Sequence, residues 1–372
     1  MSAPRKIEGG KISARQLTAM LVLSRIAVIT IIFPMITGIQ VPQDAWIASL
    51  LGMLVSIPLV LLMVYLGLKF PDKTIIECSE ALLGKYFGKL LGFILVAYWI
   101  SITSNVARAL GEAYTIAIMP ETPILVFMVV MVLLAANAAR CGLEVVGRMG
   151  EHSMWIVLFF LILMFILPYD EMNFKNLAPV LSRGFRPLLE PAGTAASFFM
   201  QFIVLGMVLP YLNKPKDATR FSVYAILISG LLMTWFTVAL VAVFGTTVSG
   251  LALPAYSLGR MISIANFLER IEAITMGAWT LSTGIKLALF LWASAVGLAQ
   301  LFGISRYQPL VYPLGAIVVA FGILFFENFV DIHRFFEFRN WGIYSLVITL
   351  GTMAILYLAA LVRSKLPPHM RR

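Results

Sequence analysis

Apolar runs of about twenty residues recur along the whole chain, separated by short segments where Pro, Gly and charged residues collect. In helical form such a run matches the hydrocarbon thickness of a bilayer, about 30 Å. Backbone amides in lipid must be satisfied within the segment, so the runs are predicted as helices. Apolar length read against this punctuation predicts ten spans, the first five at residues 14–39, 44–68, 89–118, 123–139 and 150–168. The second five fall at 191–212, 221–247, 272–300, 309–330 and 341–361. Two connections are long enough to fold, residues 169–190 and 248–271. In the second, Tyr256, Leu258, Met261, Ile262, Ile264, Ala265 and Leu268 form a helical apolar stripe. Residues 74–83 predict a short amphipathic helix on the inner surface, with a solvated linker as the alternative.

The predicted fold class is all-α transmembrane, a single integral membrane domain over 1–372. An odd number of spans per half inverts the second half, which permits a five-plus-five inverted repeat of about 14–168 and 191–361. The first and sixth spans then correspond, and both carry helix-interrupting residues: Thr30, Pro34 and Gly38 in one, Gly193, Gly206 and Pro210 in the other. Discontinuous helices at these two places would offer free amides and carbonyls to a small zwitterion near the midplane. Simple proline kinks account for the same residues, since Pro58 and Pro313 also lie within spans.

Composition closes off other classes. The chain has 372 residues, 60% hydrophobic and 12% charged, with a mean hydropathy of +0.93, more apolar surface than one soluble core can bury. Its net charge of +10 is scattered over short loops rather than gathered on one face, which argues against nucleic acid. Lys and Arg crowd the segments that lie inside if the N-terminus is inside, whereas outer segments hold only Lys175, Arg183, Arg186, Arg260, Arg270, Arg334 and Arg339. That asymmetry places both termini in the cytoplasm. The first apolar run is too long for a signal-peptide core and is expected to stay as a span. Cys78 and Cys141 fall far apart in inner connections, where no structural disulfide is expected. His152, His333 and His369 are dispersed, with no metal-ligand spacing and no phosphate-cradling loop, so neither enzyme chemistry nor a cofactor is expected.

Candidate chemistry lies in charges within the spans. Arg25, Arg108, Glu112 and Lys286 must face the bundle interior or water, because each ionised centre costs roughly 2.5–3.5 kcal/mol in lipid. Arg108 and Glu112 stand four residues apart on one helical face and can neutralise each other. Arg25 and Lys286 then have no in-span acid; a ligand carboxylate, carbonyls of an unwound helix or water are the candidates to balance them, and a Lys286 that stays neutral is the alternative. Thr103, Ser104, Asn105, Gln201, Thr280, Ser282 and Thr283 either line a polar cavity or join helices.

Local motifs carry a family resemblance along nearly the whole chain. They are the span Ser24 to Pro34, the Asp44, Ala45, Trp46 entry to the second span, and Arg108 with Glu112. Next come the Met119 to Pro123 turn, the segment from Ala138 through Glu144 to Arg148, and Asn176 to Val180. Leu209 with Pro210, and Arg270, Ile271 and Glu272 with Trp279, complete the series. In this order and spacing the chain resembles the spore germinant receptor B-subunit (GerAB-type) family, a branch of the amino acid, polyamine and organocation transporter superfamily. The resemblance implies a LeuT-like inverted-repeat fold and a germinant-sensing subunit acting with A and C subunits in the spore inner membrane. It implies a small nutrient such as an amino acid as ligand, and the midplane site for it is expected to be lined by Ala27, Val28, Ile29, Thr30, Asn105, Phe199, Gln201 and Thr280. Arg25, Arg108, Glu112 and Lys286 would be the intramembrane charge or gating residues. A proton-coupled secondary amino-acid transporter is the alternative within the same fold. The chain departs from the family's Gly-rich first-span break, reading Arg25, Ile26, Ala27, Val28, Ile29, Thr30, which leaves ligand identity open.

Overall fold

The computed structural model describes residues 7–37, 42–261 and 271–365, the side chains of 28–37, 271, 329, 333, 364 and 365 excepted. The described residues are almost entirely helical. In chain order the α-helices are α1 (Ala14–Thr37), α2 (Ala45–Lys69), α3 (Ile75–Leu83), α4 (Lys85–Ala117), α5 (Ile124–Arg140), α6 (Leu143–Ile166) and α7 (Leu189–Met200). They continue with α8 (Leu205–Val208), α9 (Ala218–Phe244), α10 (Pro254–Met261), α11 (Ile271–Phe302), α12 (Gln308–Leu324), α13 (Phe329–Phe335) and α14 (Ile343–Lys365). Seven helical segments among the described residues are long and apolar enough to cross a membrane, and α5 and α12 are shorter apolar helices. With α1 these account for the ten expected spans, the sixth being α7 with α8. The fifth begins at Leu143, seven residues before its predicted start, because the charged turn from Glu144 to Glu151 is helical rather than a loop.

The short surface helix is α3. Its start is fixed by a capping box: Thr74 Oγ1 accepts from the Glu77 amide, and the Thr74 amide donates to Glu77 Oε2. Ile75, Ile76 and Leu82 turn inward, which decides for the amphipathic helix over a linker. Of the stripe expected in 248–271, α10 carries the first turns and buries Leu258, while Met261 is exposed. Ile262, Ile264, Ala265, Leu268 and Arg270 lie outside the described residues, as does Gly38.

The sixth span does not run as one α-helix, although its backbone stays right-handed helical from Arg186 to Tyr211. After α7 the backbone tightens to a 3-10 turn at Gln201–Val204, resumes as α8, and closes in a second 3-10 turn at Leu209–Tyr211. Pro210 has no amide to continue the ladder, and α8 stops before it. The first span corrects the expectation: α1 is one unbroken α-helix from Ala14 to Thr37 and continues through Thr30 and Pro34. No glycine interrupts this stretch, so the backbone lacks the residue that most readily leaves helical geometry.

Close packing brings the site helices together. A Cβ on Gly52 of α2 would stand 2.4 Å from the Ala195 Cβ of α7, so only glycine lets these two helices approach this far. Below them, the N-terminal segment runs under the bundle as extended chain. Ile12 pairs with the end of the sixth span, its amide donating to the Tyr211 carbonyl and its own carbonyl accepting from the Asn213 amide, both 2.9 Å.

Candidate functional site

Two cations are sealed between α1, the broken sixth span and α11. Arg25 on α1 is 1% exposed. Its Nη2 donates to the Ala195 carbonyl at 3.5 Å and approaches the Met233 sulfur at 2.9 Å. Its guanidinium carbon stands 4.5 Å from the Phe199 ring centroid and 5.3 Å from that of Phe198. Such ring faces attract a desolvated cation by about 2 kcal/mol. They supply no hydrogen-bond acceptor, and Nε and Nη1 are buried without a partner.

Lys286 on α11 is also 1% exposed. Its Nζ donates to Gln201 Oε1 at 2.6 Å, at the point where α7 gives way to the 3-10 turn, and sits 5.7 Å from the Phe290 ring centroid. Arg25 and Lys286 lie within electrostatic reach of each other. Among the described residues the ion pairs are Arg108 with Glu112, Arg148 with Glu144 and Arg339 with Glu190, so no acid pairs with either buried cation.

The face of α11 that carries Lys286 also carries Thr283 and Trp279, the latter seven positions before Lys286 and about two turns of helix away. Trp279 Nε1 donates to the Ala27 carbonyl of α1 at 2.8 Å. Thr283 lies between these two contacts, fully buried, with an unpartnered hydroxyl. Asn105 of α4 is likewise buried with its Nδ2 unpartnered. A small cavity beneath α10 is bounded by Ile26, Phe236, Ala255 and Trp279. A second, smaller one shares Ala255, Thr275 and Trp279 with it.

The sequence-predicted residues thus separate into groups. Arg25 meets Phe199, Lys286 meets Gln201, and Ala27 enters through its carbonyl. The backbones of Val28, Ile29 and Thr30 lie in α1, and their side chains are outside the described residues. Thr280 is engaged in helix joining: it donates to the Met276 carbonyl and accepts from the Tyr114 hydroxyl, both 2.7 Å. Arg108 and Glu112 form the expected intrahelical ion pair at 2.6 Å and turn toward α12, where Arg108 Nη1 also reaches the Gly322 carbonyl at 3.3 Å.

One functional-looking residue escaped the sequence reading. Glu8, in the polar start before α1, is 7% exposed, and its carboxylate gathers four neutral donors. The Gly10 amide at 2.9 Å, the Leu143 amide at 3.2 Å, Trp292 Nε1 at 3.0 Å and the Tyr307 hydroxyl at 3.0 Å all point at it. Gly142 (φ 101) makes the turn into α6 that aims the Leu143 amide at this carboxylate, and a Cβ there would stand 3.2 Å from Glu8 Oε2. Burial first, and then the carboxylate beside it, push the Tyr307 phenol above its usual range, so it stays a donor. No local signal marks Glu8, since its distant partners come from α6, α11 and the turn before α12. No cluster of three or more His, Cys, Asp or Glu suited to a metal ion occurs among the described residues.

Residues 11–330 match the family described as spore germination protein. Spore germination protein KB of Bacillus subtilis (strain 168) is 28% identical over 332 residues, 87% of this chain and 88% of its own. Spore germination protein GerQB of Bacillus cereus is 26% identical over 299 residues, 80% of this chain and 81% of its own. Among solved structures, MhsT in complex with L-phenylalanine superposes with a TM-score of 0.68 at 14% identity, covering 93% of this chain and 98% of MhsT. Mhp1, a nucleobase-cation-symport-1 family transporter, gives 0.70 at 13% identity, covering 99% of this chain and 83% of Mhp1. These identities speak to fold alone, and the fold is the LeuT-type helical bundle expected from the sequence.

Proposed function

Because this chain belongs to the spore germination protein family, we propose that it is the germinant-sensing membrane subunit of a spore germination receptor. It binds a small nutrient, such as an amino acid, between α1, α4, the broken sixth span and α11. The observation that carries this reading is the pair of buried basic side chains beside the sixth span, Arg25 and Lys286, with no acidic partner among the described residues. Uncompensated charge within the membrane is costly and marks a functional site by default. A ligand that neutralises it preferentially in one conformation shifts the equilibrium toward that conformation by its differential affinity. The partners that read this shift are A and C subunits, the setting is the spore inner membrane, and both termini face the cytoplasm.

Alternating-access transport is the second reading, favoured by a fold shared with transporters, one of them solved with an amino acid bound. Paired binding and uptake in proteoliposomes, with and without a pH gradient, separates the two. Saturable binding without accumulation, lost on Ala27→Phe, is expected. Gradient-driven accumulation of the bound compound would overturn the receptor reading in favour of a transporter.

A further inference from the structure

From the charge at this site we infer that its ligand is a small dicarboxylate, bound by Arg25 and Lys286; this rests on the reading that the site takes a nutrient. Among the described residues, the side chains buried between α1, α4, the sixth span and α11 present unpartnered donors. Arg25 presents Nε and Nη1 without partners, Thr283 has an unpartnered hydroxyl, and Asn105 has an unpartnered Nδ2. All four groups are buried.

The carbonyl and amide oxygens described here that an ammonium would meet each already take a side-chain donor. The Ala195 carbonyl takes Arg25, the Ser197 carbonyl takes the Ser345 hydroxyl, the Ala27 carbonyl takes Trp279 and the Gln201 amide oxygen takes Lys286. A neutral amino acid would therefore bring a third cation to two that have no counter-charge, and its single carboxylate would neutralise only one of them. A dicarboxylate without an amine brings two negative charges and acceptors only. The guanidinium fork matches one carboxylate bidentately, and the ammonium meets the other as a point charge. An acidic amino acid, with its added ammonium, ranks between the two classes.

The test is binding to the purified full-length chain in nanodiscs at fixed ionic strength. The probes are succinate and L-malate, then L-glutamate, then L-glutamine, L-alanine, L-valine and inosine. Succinate or L-malate is expected to bind most tightly, L-glutamate less so, and L-glutamine, which has the shape of glutamate without its second charge, least. Arg25→Gln and Lys286→Gln should each weaken dicarboxylate binding on the order of 30-fold or more, as expected when one member of a buried charge pair is removed. Arg25→Lys, which keeps the charge, should retain the dicarboxylate preference. Melting without ligand should not fall in either Gln variant, since each removes an uncompensated charge. If one variant does not fold, the other and the probe ranking still decide. Binding of neutral amino acids or inosine in preference to the dicarboxylates would overturn the ligand class and leave the nutrient site standing. Failure of every probe to bind would overturn the nutrient site itself.

Discussion

Removing the Glu8 carboxylate strands donors that nothing else can reach. In Glu8→Ala the Tyr307 hydroxyl can fall back on the Ala139 carbonyl, which it already approaches at 3.2 Å, and the Gly10 amide can be hydrated. Trp292, 0% exposed, and the Leu143 amide at the start of α6 have no alternative acceptor. A buried donor left unsatisfied costs about 1–3 kcal/mol, so the two together cost about 2–6 kcal/mol. At roughly 1–2 °C per kcal/mol for a chain of this length, melting should fall by about 5 °C. Thermal unfolding of the purified protein in nanodiscs, followed by tryptophan fluorescence, measures the fall. The decisive version is a double-mutant cycle with Trp292→Phe, which removes one of the stranded donors. Glu8→Ala should then cost about 1–3 kcal/mol less than in the parent. A Glu8→Ala variant that melts within a degree of the parent, or a cycle with no coupling, would refute the account of Glu8 as an acceptor that ties the N-terminal segment to α6 and α11.

Three further outcomes test other parts of the structure. Gly52→Ala places a methyl 2.4 Å from the Ala195 Cβ and 2.9 Å from the Ala192 carbonyl; it should cost about 1–3 kcal/mol and weaken ligand binding by moving the Ala195 carbonyl off Arg25, checked by melting and by titration. Glu112→Gln should destabilise by about 3 kcal/mol because it leaves Arg108 unpaired, whereas the double replacement of Arg108 and Glu112 by Leu should cost far less; equal losses would argue against the ion pair as the reason. Burial pushes the Cys78 thiol up to about 12, outweighing the opposing pull of Lys73, so at pH 8 only about one part in ten thousand is thiolate. Cys141 is exposed. A maleimide at pH 8 should therefore label Cys141 alone in the folded protein, and Cys78 only as pH rises toward 12 or after unfolding; prompt labelling of both, read by mass spectrometry, would contradict the buried position of α3.

Much of this molecule follows from local pattern. Span number and near-correct boundaries, the α3 helix with its Thr74 and Glu77 box, and the Arg108–Glu112 pair depend on apolar length or on spacings of three and four residues, which a chain carries in its own order. That Arg25 and Lys286 lack acidic partners was readable too, because in-span charges are few enough to be weighed against one another. The unbroken α1 shows the limit of such reading: Pro34 and Thr30 suggested a break, but the helix continues through both, where no glycine releases the backbone. Tertiary structure alone decided which donor met which acceptor. Glu8 finds Trp292 and Tyr307 nearly three hundred residues away, Lys286 finds Gln201 at the sixth-span break, and Trp279 finds the Ala27 carbonyl. A hydrogen bond extends about 3 Å and depends on direction, so its partners are set by how helices pack. Hydrophobic length needs no partner to be recognised, and it was therefore determined by the sequence itself.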